Sequence, residues 1–95
     1  VTIRQKVAEL SPNDSRTHLA LGIALESAGK EADAILEYKK ALELNPLSID
    51  ASYNLAFLYI LNKRFSDAES ELERLKKLNS RWADQLKRLL SMLRR

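Results

Sequence analysis

The chain repeats itself with a period of about 34 residues. Displaced by one period, Pro12 falls on Pro46, Leu10 on Leu44 and then Leu78, Leu21 on Leu55, Ala34 on Ala68, and Asn45 on Asn79. Gly22 meets another small residue, Ala56, and Leu25 meets Tyr59. A period of this size marks stacked repeats, in which each unit buries its apolar face only against its neighbours. Function is then expected on the surface the stack creates, and not in a catalytic centre.

Within each period the apolar residues recur at helical intervals. Ile3, Val7 and Leu10 lie four and three apart and share one face of a helix over residues 1–10. Ser11-Pro12-Asn13-Asp14 breaks it, and Asp14 or Ser15 can cap the next helix by accepting its free amide hydrogens. That helix runs to about Ala28, where Gly29 can take the left-handed conformation that ends helices cheaply. A second helix follows over about 31–44 and stops at Asn45-Pro46. The pair is replayed as 48–61, a Lys63-Arg64 turn, and 66–78, and a last helix is predicted from Arg81 onward. Six helices and no strand make the fold class all-α. Short turns force antiparallel hairpins, whose close approach falls at Gly22 and Ala56 on the first helices and Ala34 and Ala68 on the second.

The residues at these offsets resemble the tetratricopeptide (TPR) signature. The first copy reads His18, Leu21, Gly22, Leu25, Ala34, Tyr38, Ala41 and Pro46; the second reads Ser52, Leu55, Ala56, Tyr59, Ala68, Leu72, Leu75 and Ser80. The second copy departs at the aromatic and proline positions. Val7, Leu10 and Pro12 look like the tail of a preceding repeat, and Leu86, Leu89, Leu90 and Leu93 continue the first-helix pattern. The resemblance implies a single TPR domain over 1–95, with a partial repeat at 1–14, repeats at 15–48 and 49–82, and a capping helix at 83–95. It also implies stacking into a right-handed superhelical solenoid. The chain enters mid-pattern at Val1, which reads as a fragment or a processed form of a longer protein.

Composition narrows the class further. Ninety-five residues suit one domain, and 45% hydrophobic with 31% charged residues is the mixture of a soluble helical protein. No apolar run of about 18 residues occurs, so no membrane insertion is expected. The absence of cysteine excludes disulfides and thiolate metal sites, but leaves cytoplasm and periplasm both open. Charge is uneven: 8 Lys and Arg stand against 12 Asp and Glu up to Glu73, and 8 against 1 from Arg74 onward. Such a basic end suits a solvated cap, an acidic protein partner or, least well, nucleic acid, since Trp82 is its one aromatic residue.

The binding surface is expected on the first helices of the hairpins. Leu55 to Leu61 is apolar at every position, more than a core stripe requires. Counting threes and fours from the core puts Tyr53, Phe57 and Leu61 on the exposed side with Asn54 beside them, and Leu19, Ala20 and Ile23 on the preceding first helix. In a TPR stack that side lines the concave groove. The same counting brings Asp84, Lys87, Arg88 and Ser91 to the groove's end. A non-catalytic protein-interaction module follows, gripping a mainly apolar partner peptide or helix, acidic at one end, through Leu19, Ile23, Tyr53, Asn54, Phe57, Leu61, Lys87 and Arg88. The alternative is self-association into a homo-oligomer through stack ends or groove.

Some TPR domains hold a chaperone's C-terminal carboxylate in a clamp of Lys, Asn and Arg. Only Asn54 and Arg88 match that pattern, with Leu19, Ile23 and Asp84 at the other positions, so such a clamp is not expected. His18 stands where TPR units carry a bulky packing residue and is read as structural. Glu26, Glu37 and Glu43 are read as solvating charges. No phosphate loop or nucleophile constellation is present, and neither catalytic, cofactor-binding nor metal-binding residues are expected.

Overall fold

A computed structural model describes residues 14–94, and the helix expected over residues 1–10 lies outside them. Five α-helices make up the regular structure of the described residues: α1 Ser15–Ser27, α2 Glu31–Leu44, α3 Ile49–Leu61, α4 Phe65–Leu78 and α5 Ser80–Arg94. The first pair of helices reappears one period further on with identical ends, so the period of the sequence is a period of the backbone. By contact density the chain divides after Ala51 into two compact units, described in turn below.

In the first unit, Asp14 caps α1 by accepting a hydrogen bond from the backbone N–H of Arg16. The same carboxylate takes the Arg16 guanidinium at 2.7 Å. The side-chain bond first, and the backbone bond second, hold the Asp14 carboxyl down to about 2 from an ordinary 3.8. The helix ends where Gly29 turns left-handed at φ 79°. Lys30 then donates its N–H to the Leu25 carbonyl at 2.8 Å, and Gly29 donates to Glu26 at 3.0 Å. This reciprocal pair closes the last turn and lets α2 begin shortly after α1 ends.

The reversal lays α2 against α1. Gly22 is there because Tyr38 leaves no room for a side chain: a Cβ on Gly22 would lie 2.5 Å from Tyr38 Cε1 and 2.6 Å from Cδ1. The ring is fully buried with Ala34, Ile35, Ala41 and Leu42 of the same helix. Its hydroxyl donates to Glu26 Oε1 at 2.7 Å, so the buried polar tip is satisfied. Burial, and then this bond to a carboxylate, push the Tyr38 phenol well above its usual range.

The second unit replays this design with different chemistry. Ala56, Leu72 and Ile60 stand one period after Gly22, Tyr38 and Glu26, and all three are buried. A hydrogen-bonded polar pair has become an apolar pair, and the smaller Leu72 accompanies a first helix that carries a methyl group. The turn is retained without its glycine. Lys63 adopts φ 60°, Arg64 donates to the Tyr59 carbonyl at 2.8 Å, and Lys63 donates to Ile60 at 3.1 Å. The Arg64 guanidinium lies 4.8 Å from the centre of the Tyr59 ring, adding a cation–π contact across the same turn.

The last helix breaks the period, beginning at Ser80, where strict repetition of Ile49 would place its start at Ala83. It also begins one position before the expected Arg81. The two junctions differ in which side chain caps the following helix. After α2, Asn45 Oδ1 accepts from the Leu47 N–H at 3.1 Å, and a new cap, Ser48 Oγ, accepts from Ala51 at 3.2 Å. After α4, Ser80 replaces the proline and Asn79 itself is the cap, its Oδ1 accepting the Trp82 N–H at 3.2 Å. On α5 the buried residues are Ala83, Leu86 and Leu90. Leu89 is half-buried and Leu93 is 43% exposed, so the expected Leu86-Leu89-Leu90-Leu93 face is rotated. At about 100° per residue, residues 83, 86 and 90 fall within about 60° of one another, whereas 93 lies about 20° and 89 about 60° beyond one edge of that arc.

Three outcomes are expected. Gly22→Ala should lower unfolding free energy by about 1–3 kcal/mol, read by urea denaturation, and should cost far less in a Tyr38→Leu background. Equal costs in both backgrounds would mean the ring is not what excludes the methyl. Lys63→Gly should raise stability by about 1 kcal/mol by relieving a left-handed residue that carries a Cβ. For Asp14 the folded pKa lies below the unfolded one, so its charge contributes fully above about pH 4 and is lost as pH falls toward about 2. Asn keeps the cap without the charge. The melting-temperature gap between the parent and Asp14→Asn should therefore be widest near pH 5 and narrow through that window.

Candidate binding surface

On α3 the run from Leu55 to Ile60 is apolar because most of it is interior. Leu55, Ala56, Leu58, Tyr59 and Ile60 are all buried, which leaves a narrow accessible strip. That strip carries Tyr53, Asn54 and Phe57, each half-buried, and Leu61, 46% exposed. The spacing of three and four explains why they share a side. Tyr53 and Phe57 are one turn apart with nearly parallel rings, 4° between planes and 6.5 Å between centres. Trp82, at the start of α5, meets Tyr53 edge-on at 5.0 Å and 70°. The Asn79 cap fixes the backbone at Trp82 and so aims the indole. Three half-buried aromatic rings in contact give the second unit an apolar, preorganised surface with one side-chain amide, Asn54, beside it.

In the first unit, α1 carries Leu19 and Ile23 at the positions of Tyr53 and Phe57. Leu19 is half-buried and Ile23 is 37% exposed. The strip is aliphatic here and aromatic in the second unit.

The basic residues sit differently from the aromatic ones. Arg88 is exposed. Lys87 is half-buried and lines a cleft between α4 and α5 together with Glu69, Glu73, Leu90 and Arg94. Lys87 follows Trp82 by five positions, a rotation of about 140° around the helix, and that rotation carries the lysine toward α4. Tyr53, Phe57 and Trp82 do not line this cleft.

His18 is packed and paired. Its Nδ1 lies 2.7 Å from Glu37 Oε1, and both side chains are largely buried. Lys40 approaches the other oxygen of Glu37 at 3.4 Å. Glu37 and Glu26 are therefore not solvating charges, as their spacing along the helices suggested, since one holds a histidine and the other a tyrosine hydroxyl. Glu43 is exposed. Among the described residues no group of three or more His, Asp or Glu side chains is arranged to hold a metal ion.

The tetratricopeptide repeat profile matches residues 25–93. The chain belongs to the tetratricopeptide repeat family. A comparison with curated proteins gave no match. Tetratricopeptide repeats are generally protein–protein interaction modules and typically non-catalytic. No helix of the described residues is long and apolar enough to cross a membrane. Tyr53, Asn54, Phe57 and Leu61, expected from helical spacing on the exposed side of α3, lie on its accessible strip. In the sequence, Trp82 stands out as the one aromatic residue of the basic end, and Glu69 and Glu73 do not stand out. Trp82 contacts a residue on a different hairpin helix, Tyr53, and no local pattern signals such a distant partner.

Proposed function

We propose that this chain is a non-catalytic module that binds an extended or helical segment of a protein partner on the accessible side of α3. The observation that carries the reading is the α3 strip, where nearly everything else on the helix is interior and what remains accessible is aromatic. Tyr53 and Phe57, with Trp82 against Tyr53, are the principal contacts. Asn54 can hydrogen-bond a partner backbone, and Leu61 extends the apolar strip by one turn. Leu19 and Ile23 offer the first repeat's aliphatic counterpart. The partner segment is mainly apolar, because no charged side chain stands among these positions. Acidic residues at one of its ends would be met by the exposed Arg88 of α5.

Half-buried rings lose little conformational freedom on binding and cover much area, which is how such residues become hot spots. Phe57→Ala should weaken a captured partner by roughly 2 kcal/mol, about thirtyfold in Kd. Trp82→Ala should act in the same direction through Tyr53. The measurement is affinity capture with quantitative mass spectrometry, comparing the parent with Phe57→Ala and checking helicity of both by circular dichroism. Equal recovery of the same partners by a folded Phe57→Ala protein would remove the strip from consideration.

A further inference from the structure

The cleft between α4 and α5 is an open groove of about 630 Å³, separate from the aromatic strip. Its two walls are charged oppositely. The α4 wall carries Glu69 and Glu73, and the α5 wall carries Lys87 and Arg94, with buried Leu72 and Leu90 also lining it. The two helices run antiparallel, since Arg94 at the end of α5 pairs with Glu69 and stacks over Phe65 at the start of α4. Glu73 lies one turn further along α4, and Lys87 two turns back along α5, so both fall toward the other end of the cleft.

Segregation of acid to one wall and base to the other makes this face self-complementary. Turn a second copy by half a rotation about an axis running along the cleft. Its α5 then lies over this α4 and its α4 over this α5, at unchanged height. Glu73 meets Lys87 of the second copy, and Lys87 meets its Glu73; Glu69 and Arg94 are exchanged in the same way. A half rotation about the perpendicular in-plane axis sets acid over acid and base over base, which charge repulsion disfavours. One symmetric arrangement is therefore selected, and it is isologous and closed.

We infer that the α4–α5 face is a homodimer interface, with a second copy of this chain as its occupant. The face is two helices wide and about 20 Å long, below what a permanent interface buries. The pairs are partly exposed to water. Association is accordingly weak and salt-sensitive, a concentration-driven pairing in place of an obligate one.

Sedimentation equilibrium on the full chain tests this, at protein concentrations up to about 1 mM and salt from about 0.05 to about 0.5 M. The parent should dimerise at low salt and dissociate at high salt. Glu73→Lys alone and Lys87→Glu alone should each weaken dimerisation about tenfold or more, because like charges then face each other. An equimolar mixture of the two variants should recover association, since every altered residue then meets its opposite. Circular dichroism confirms that each variant is folded. A parent that stays monomeric at low salt, or single variants that dimerise like the parent, would overturn the inference. Phe57→Ala should dimerise normally. Dimerisation lost in that variant and retained in the charge variants would transfer the interface to the aromatic strip and also overturn it.

Discussion

Both hairpins depend on one backbone event, a left-handed residue that lets the chain reverse within a single tight turn. Gly29 and Lys63 occupy equivalent positions. The two hydrogen bonds that close the turn measure 2.8 and 3.0 Å in the first repeat and 2.8 and 3.1 Å in the second. Because the turn is so short, its geometry leaves the second helix little freedom in register. Gly22 is thereby set against Tyr38, and the Tyr38 hydroxyl against Glu26. The interior contacts follow from a turn that contains none of them. That the second repeat keeps the turn with lysine, at a conformational cost of about 1–2 kcal/mol, shows how strongly the reversal is required.

Much of the architecture was legible because its signals are local. Caps, proline and the left-handed glycine act on residues within one turn, so helix ends read from sequence fall close to those observed. The start of α5 is the instructive exception. Asn79-Ser80 copies Asn45-Pro46 closely enough to suggest the same break, but Asn79 is itself the cap, whereas after Asn45 the cap passes to Ser48. The polar interior was illegible for a related reason. Glu26 and Glu37 look like any exposed helical acids until their distant partners, Tyr38 and His18, are brought opposite them.

The candidate surface divides along the same line. Tyr53, Asn54, Phe57 and Leu61 share one helix, so helical spacing alone groups them. Lys87 could be assigned to the wrong neighbourhood because its side of α5 depends on how that helix packs, which the core triad Ala83, Leu86 and Leu90 decides. The outcome is two surfaces of different character on one unit. One is aromatic and suited to an apolar segment; the other is lined with ordered charges of both signs.

The exchange of Gly22, Tyr38 and Glu26 for Ala56, Leu72 and Ile60 has a consequence for how such a chain can evolve. Two copies of one unit invite recombination out of register, which splices the front of one repeat to the back of another. Crossovers at the unit boundaries preserve each matched set. A crossover between the two helices of a hairpin does not. It would join an Ala56-type first helix to a Tyr38-type second helix and press a methyl group into the ring, or leave Glu26 facing a leucine with no hydroxyl to bind. The hairpin, not the helix, is thus the smallest heritable unit of this fold, and the mismatch between its two versions keeps their halves from being shuffled.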